Sequence, residues 1–312
     1  MELHQLRYVC AVADTGSFSR SAERCQIAQP SLSQQILKLE QDLGARLFDR
    51  LGRSIRLTEA GRAFLPHARS VLEQVDAARS SVTAQHTDVR GSVTVGVIPT
   101  VAPYLMPAYT AGFTGNYPEA KMRIVEEMTP VLVQGLRDLS IDLAILALPL
   151  RHKDLEVFAM RTEPVFAALP KGHPRAGFEA LSLKDLRGEP FVMLRDGHCF
   201  RDLSIAACSS ARITPNIAFE SGQFASVLAM VGAGVGISMV PEMAIDRGAD
   251  CCYVRLTDAH ARRTIVLAKL RGRSFNRVQE AFRNRIPFET QDTAVTKNPA
   301  ASRNTSSSKR RS

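Results

Sequence analysis

Along the first sixty residues the apolar positions recur at helical spacing. Leu3, Leu6, Val9, Cys10 and Ala13 share one face and stop at Asp14-Thr15-Gly16, which predicts a helix ended by a turn. Ser17 or Ser19 is placed to cap a second short helix, Arg20 to Cys25, in which the small Ala22 lets a neighbour approach closely. Pro30 suits the first turn of a third helix, whose Leu32, Ile36, Leu39 and Leu43 form an apolar stripe that ends at Gly44. Its other face carries Gln29, Ser31, Ser33, Gln34 and Lys38. These are mostly uncharged hydrogen-bonding groups and, with Pro30, they are candidates to read base edges in a major groove. Beyond them, Phe48-Asp49-Arg50 and Ser54-Ile55-Arg56-Leu57 flank Leu51-Gly52-Arg53. That pattern predicts a β-hairpin wing from which Arg50 and Arg53 reach phosphates. The expected unit is an all-α winged helix-turn-helix domain over residues 1–57.

Thr58 is placed to cap a further helix, along which Phe64, Ala68, Val71, Val75, Ala78 and Val82 are spaced alternately by four and three residues. This seam predicts a linker helix over residues 58–88, on the order of 40 Å long and able to pair with a twin. A dimer would set two recognition helices in successive major grooves, roughly 10 bp apart or a multiple of that. After Arg90-Gly91 short β-rich runs alternate with helical segments: Ser92 to Ile98, Arg123 to Glu127, Asp142 to Leu148, Phe191 to Leu194, Ile217 to Glu220, Gly236 to Val240 and Thr264 to Lys269. The fold class is therefore α/β over residues 92–288. Thr100 and Thr129 stand where strands give way to helices, positions that either cap a helix or face a ligand crevice.

Composition narrows the setting. With 312 residues and 45% hydrophobic content, the chain can bury a large core in two or three domains. No apolar run approaches a membrane span and the start has no secretion-signal pattern, so a cytoplasmic protein is expected. Thiols are kept reduced there, and the six cysteines are not presumed to form structural disulfides. The adjacent Cys251 and Cys252 lack a nearby His pattern and are poor metal ligands; neither a metal nor a cofactor is expected. The formal net charge is +9, yet Met1 to Gly61 holds eight basic against seven acidic residues. The Ser/Thr/Asn-rich stretch from Thr290 adds five basic residues against one acidic, and the tail 289–312 reads as disordered and basic. Bulk charge alone does not identify a nucleic-acid partner.

The local pattern resembles a known family. Leu6-Arg7-Tyr8-Val9, Gly16-Ser17-Phe18-Ser19-Arg20-Ser21-Ala22, Gln29-Pro30-Ser31-Leu32-Ser33-Gln34-Gln35-Ile36, Leu39-Glu40, Leu43-Gly44, Leu47-Phe48-Asp49-Arg50 and Leu57-Thr58-Glu59-Ala60-Gly61 are similar, in this order, to the N-terminal domain of LysR-type regulators. Ala28 and Cys25 depart from it, where the family usually has a hydroxyl cap and a leucine. The resemblance implies double-stranded promoter DNA and RNA polymerase as partners, and a homodimer or homotetramer. It also implies a two-lobed effector domain like the periplasmic binding proteins, with lobe one over about 92–161 and 265–287 and lobe two over about 162–264.

Within that domain, Gly197-His198-Cys199-Phe200-Arg201-Asp202, with Cys208 nine residues after Cys199, resembles the hydrogen-peroxide-sensing branch of the family, the OxyR type. Ile98-Pro99-Thr100-Val101, Thr129 and Ala144-Ile145-Leu146-Ala147-Leu148 extend the match, which spans roughly Met1 to Phe288. Glu220-Ser221-Gly222-Gln223-Phe224 departs from the more usual polar sequence. The resemblance implies Cys199 as the peroxide-reactive thiol and Cys208 as its resolving partner, with Thr100, Thr129, His198, Arg201 and Arg263 around the peroxide. On the residues alone, a helix start after Gly197-His198 and the nearby Arg201 would favour the Cys199 thiolate, the reactive form. Were the intervening residues helical, Cys199 and Cys208 would lie on opposite faces, too far apart to bridge without refolding. Two other readings remain open: a regulator that binds a small metabolite between the lobes, its cysteines merely structural, and a cysteine peroxidase. The peroxidase would leave the helix-turn-helix and linker without a role.

Overall fold

The computed structural model describes residues 1–51, 54–82 and 89–288. The tail 289–312, the end of the linker and Arg53 lie outside the described residues, as does the side chain of Arg50. The first three helices are α1 (Leu3–Thr15), α2 (Phe18–Arg24) and α3 (Gln29–Leu43). Glycine in the left-handed region ends α1 at Gly16 and α3 at Gly44, and the Ser17 hydroxyl accepts the Arg20 amide to cap α2. Val9, Val12, Phe18, Leu32, Ile36 and Leu39 close into one core with Leu47 and Phe48. Leu3 and Leu43, placed on the apolar stripes by spacing, are each 40% exposed, because both lie at helix ends beyond that core. The antiparallel strands β1 (Phe48–Leu51) and β2 (Ser54–Leu57) make the wing.

Helix α4 (Glu59–Val82) follows, about 36 Å long at 1.5 Å per residue. The Thr58 hydroxyl donates to Arg46 O at 2.6 Å and accepts the Gly61 amide at 2.9 Å, so it fastens the helix start to the chain before the wing. The apolar seam of α4 divides. Ala68 is buried and Phe64 packs on the core of the three-helix unit, with Arg69 paired to Asp14 of α1 at 2.5 Å. Val71, one turn on, is 41% exposed.

The rest of the chain alternates strands and helices: β3 (Gly91–Val97), α5 (Ala102–Asn116), β4 (Ala120–Glu126), α6 (Thr129–Arg137), β5 (Leu143–Ala147), β6 (Leu155–Pro170), β7 (Ala180–Leu181), β8 (Pro190–Leu194), α7 (Cys199–Ser210), β9 (Asn216–Ser221), α8 (Phe224–Gly232), β10 (Ser238–Pro241), β11 (Cys251–Leu256), β12 (Arg262–Leu270) and α9 (Arg277–Arg283). Parallel β4, β3 and β5 continue through antiparallel β12 to β6. The sixteen-residue β6, which alternation did not predict, belongs to both lobes. Its first part, Leu155 to Pro164, pairs with β12, and its last, Val165 to Pro170, pairs with β10 and β11. Two apolar cores result. One gathers Val95, Leu132, Ile145, Leu267 and Phe282; the other gathers Leu169, Val192, Phe200, Cys208 and Val240. The strands β6 and β12 join them.

A methyl added at Gly61 would stand 2.0 Å from the Leu47 carbonyl oxygen, a backbone atom that cannot swing aside. Gly61→Ala is therefore expected to destabilise the N-terminal domain by about 1–3 kcal/mol. Faster hydrogen exchange of the α1–α3 amides would report it. Gly115→Ala, whose added methyl meets nothing within 4 Å, is the matched control and should leave exchange unchanged.

Candidate functional site

The site is assembled where strand ends from one lobe meet a helix start from the other. Strand β8 ends at Leu194, Gly197 turns the chain at φ +95°, and α7 begins at Cys199 with His198 as its N-cap residue. His198 is 2% exposed and neither ring nitrogen has a hydrogen-bond partner among the described residues. Burial, aided by the Arg195 charge, lowers its pKa and keeps the ring neutral. Cys199 belongs to the second lobe by sequence but packs against the apolar core of the first.

Arg263 of β12 reaches this junction from below. Its Nη1 donates to the Thr100 hydroxyl at 3.2 Å, and its Nε and Nη2 donate to Glu163 Oε1 at 2.8 and 2.6 Å. The guanidinium lies 5.3 Å over the Phe200 ring, which in turn meets Phe224 edge-on at 5.2 Å. Neither threonine caps a helix as strand-end spacing allowed. Thr100 is 3% exposed and spends its hydroxyl on Arg263, while Thr129 Oγ1 is buried without a hydrogen-bond partner in good geometry. Thr129 still lies close enough to the Cys199 sulfur to favour the thiolate.

Thr100, Thr129, His198, Cys199 and Arg263 are thus brought together; Arg201 is not among them. Its guanidinium is tied to Asp196 at 2.7 Å, to Glu220 and to Leu194 O at 2.9 Å, where it braces the loop before α7. The expectation that Arg201 lowers the Cys199 pKa is corrected accordingly, while the amide of Cys199 itself, at the helix start, does favour the thiolate. Burial raises the Cys199 thiol above its ordinary value, against the downward pull of Arg263 and Thr129. The thiol is therefore protonated at neutral pH in this conformation.

Cys208 is fully buried in the core of the second lobe, and burial pushes its thiol up to about 11. Both cysteines are free and both lie on α7. Nine helical steps from one to the other carry the chain roughly 13 Å along the axis, and a disulfide needs Cα atoms within about 7 Å. Cys251 is buried on β11 with its thiol toward Leu228 O at 3.3 Å, and Cys252 is half-buried beside it. Above the junction, Thr100, Tyr104, Arg195, His198, Ser221 and Gln223 line a cleft of about 610 Å³ between the lobes. Among the described residues, no group of three His, Cys, Asp or Glu side chains is arranged to hold a metal. No described helix is long and apolar enough to cross a membrane.

On α3, Gln29, Pro30, Ser31, Gln34 and Lys38 are exposed and Ser33 is half-buried, its hydroxyl accepting from the Gln29 amide at 2.9 Å. Leu37, which spacing did not single out, is 49% exposed and lines a groove with Ser33 and Gln34. Glu163 is a further residue of this junction that spacing did not single out, because β6 also carries Glu156, Arg161 and Thr162 and the burial of one of these polar groups is decided across strands.

Residues 3–62 match the model of the bacterial regulatory helix-turn-helix protein, lysR family, and residues 86–287 match the LysR substrate binding domain. The DNA-binding transcriptional dual regulator OxyR of Escherichia coli K12 is 33% identical over 294 residues, which cover 92% of this chain and 96% of that one. A full-length OxyR variant from Pseudomonas aeruginosa is 28% identical with a TM-score of 0.74, covering 93% of this chain and 98% of its own. A hydrogen-peroxide-bound OxyR mutant from Corynebacterium glutamicum is 30% identical with a TM-score of 0.57, covering 91% and 94%. The two models together cover the helix-turn-helix and the α/β domain described above, and the chain belongs to the LysR family of DNA-binding transcription regulators.

Proposed function

We propose that this chain is a hydrogen-peroxide-responsive regulator of transcription, switched by a disulfide between Cys199 and Cys208. The observation that carries the reading is the seat of Cys199 at the lobe junction, with Arg263, Thr129 and the partnerless His198 gathered round it. The E. coli and C. glutamicum relatives, named for OxyR and for bound peroxide, support it. The division proposed is a winged head over 1–57, a linker helix over 58–88, and lobes over 92–161 with 265–287 and over 162–264. Exposed Val71 beyond the packed part of α4 supports pairing into a homodimer or homotetramer. The head would engage promoter DNA through Gln29, Pro30, Ser31, Ser33, Gln34 and Lys38, with Arg50 and Arg53 on phosphates, and would act on RNA polymerase in the cytoplasm.

The chemistry needs a thiolate. Its sulfur attacks one peroxide oxygen, the O–O bond breaks, and the other oxygen leaves as hydroxide and takes up a proton to become water. The sulfur, oxidised by two electrons, is then a sulfenic acid. The Cys208 thiol, deprotonated as it attacks, closes the S–S bond and expels the hydroxyl, which leaves with that proton as a second water. Because α7 holds the sulfurs apart, closure requires the helix to unwind. Unwinding would draw Phe200 from beneath Arg263 and from Phe224, so the redox state would be felt where the lobes meet.

A metabolite bound between the lobes is the second reading, favoured by the cleft of about 610 Å³. Treatment of the reduced protein with stoichiometric peroxide separates the two. We expect loss of the Cys199 and Cys208 thiols together with a changed DNA footprint; intact thiols or an unchanged footprint would reject the sensor.

Cys199→Ser is expected to bind DNA and to ignore peroxide, whereas Cys208→Ser should stop at the sulfenic acid, measurable by dimedone trapping and mass spectrometry. With the thiol pKa raised by burial, the rate of Cys199 alkylation should still be climbing with pH past the ordinary thiol range. Thr129→Val removes a group that favours the thiolate and should slow that alkylation about 2- to 10-fold at neutral pH, the effect of up to one pKa unit.

A further inference from the structure

Glu163 sits on β6 opposite Arg263 of β12, at the step where the chain passes from one lobe to the other. Its side chain is fully buried, and every polar contact it makes joins something to something else. Oε1 accepts both Nε and Nη2 of Arg263, and Oε2 accepts the backbone amide of Met243 at 2.9 Å. Met243 lies in the single helical turn Glu242–Ala244 of the second lobe, which Arg161, two residues before Glu163, also holds through Glu242. With its Nε and Nη2 so engaged, Arg263 points Nη1 at Thr100. Arg263 is also the largest influence favouring the Cys199 thiolate.

We propose that Glu163 is a positioning residue for the Cys199 thiol: it fixes the Arg263 guanidinium between Thr100 and Phe200, and through the Met243 amide it ties that arrangement to the second lobe. A guanidinium shut away from water does not part from its counter-ion, so wherever the carboxylate stands, Arg263 stands with it. The carboxylate also offsets the guanidinium's charge. Glu163 thereby sets both where the positive charge acts on Cys199 and how much of it the sulfur feels. The sulfur is also acted on by Thr129 and the Cys199 amide, which favour the thiolate, and by Asp202, which opposes it. This inference rests on the reading of Cys199 as the reactive thiol.

Two substitutions in the full-length reduced protein separate position from charge. Glu163→Asp keeps the charge and shortens the reach by one methylene, which draws Arg263 back from Thr100 and the sulfur. Glu163→Gln keeps the reach and an acceptor for Arg263 while removing the offsetting charge. The rate of Cys199 alkylation by iodoacetamide, resolved by site in a mass spectrometer, is followed from pH 6 to 10. We expect the midpoint to move up in Glu163→Asp, with alkylation at neutral pH slowed about threefold or more, and to move down in Glu163→Gln. Profiles within about twofold of the unsubstituted protein, whatever the change in unfolding temperature, would overturn the proposal, as would a shift of both variants in one direction. If Glu163→Gln does not fold, Glu163→Asp decides alone: an upward shift supports the proposal, no shift overturns it. The readout involves no peroxide, so it stands or falls separately from peroxide sensing.

Discussion

A guanidinium and a carboxylate, both fully buried, face each other across the two strands that carry the chain between lobes. Taking either charge out of water costs several kcal/mol, so such a pair persists only when its remaining hydrogen-bonding capacity is met inside the protein. Here it is met by parts of the molecule that must be held in place anyway. Thr100 contributes a hydroxyl from the end of β3, Met243 an amide from the second lobe, and Phe200 the face of its ring from the first turn of α7. The pair is thus less a source of stability than a fixed point about which three segments are arranged. Cys199 lies at their meeting place.

The same geometry sets opposed influences on Cys199. Burial holds the Cys199 proton on, while Arg263 and Thr129 work against it, so the thiol is poised by opposed effects rather than dominated by one. Helix α7 adds a second restraint, because a regular helix keeps Cys199 and Cys208 a fixed distance apart for as long as its hydrogen bonds last. Cys208 is moreover part of an apolar core, from which its side chain would have to depart. The disulfide proposed above would therefore need a second conformation of α7 in which these restraints are released.

The DNA-binding head follows a different economy. Its charges nearly cancel, and the exposed face of α3 presents amides, hydroxyls, Lys38 and the apolar Leu37. A head with so little net charge offers little to nonspecific phosphate attraction, and its polar groups suit hydrogen bonding more than charge neutralisation.

Much of this was legible in the chain itself. Helical spacing, the caps at Ser17 and Thr58 and the glycine stops at Gly16 and Gly44 are local properties, decided within a turn or two, and they marked the head almost residue by residue. The Gly-His-Cys-x-Arg-Asp run singled out Cys199, which the structure seats where the lobes meet. What spacing did not reveal was β6, whose burial follows no simple alternation because the strand passes through two cores and carries a polar pair between them. Local proximity also misassigned Arg201, near Cys199 in sequence but bound to Asp196 and Glu220, while Arg263, more than sixty residues away, acts on the sulfur. The sequence alone determined the helix-turn-helix and the α/β alternation and singled out Cys199, since each depends on neighbours along the chain. Only the tertiary structure decided which charges reach that thiol, because a buried charge goes to the partner that can satisfy it, and that partner is chosen by packing across strands rather than by position in sequence.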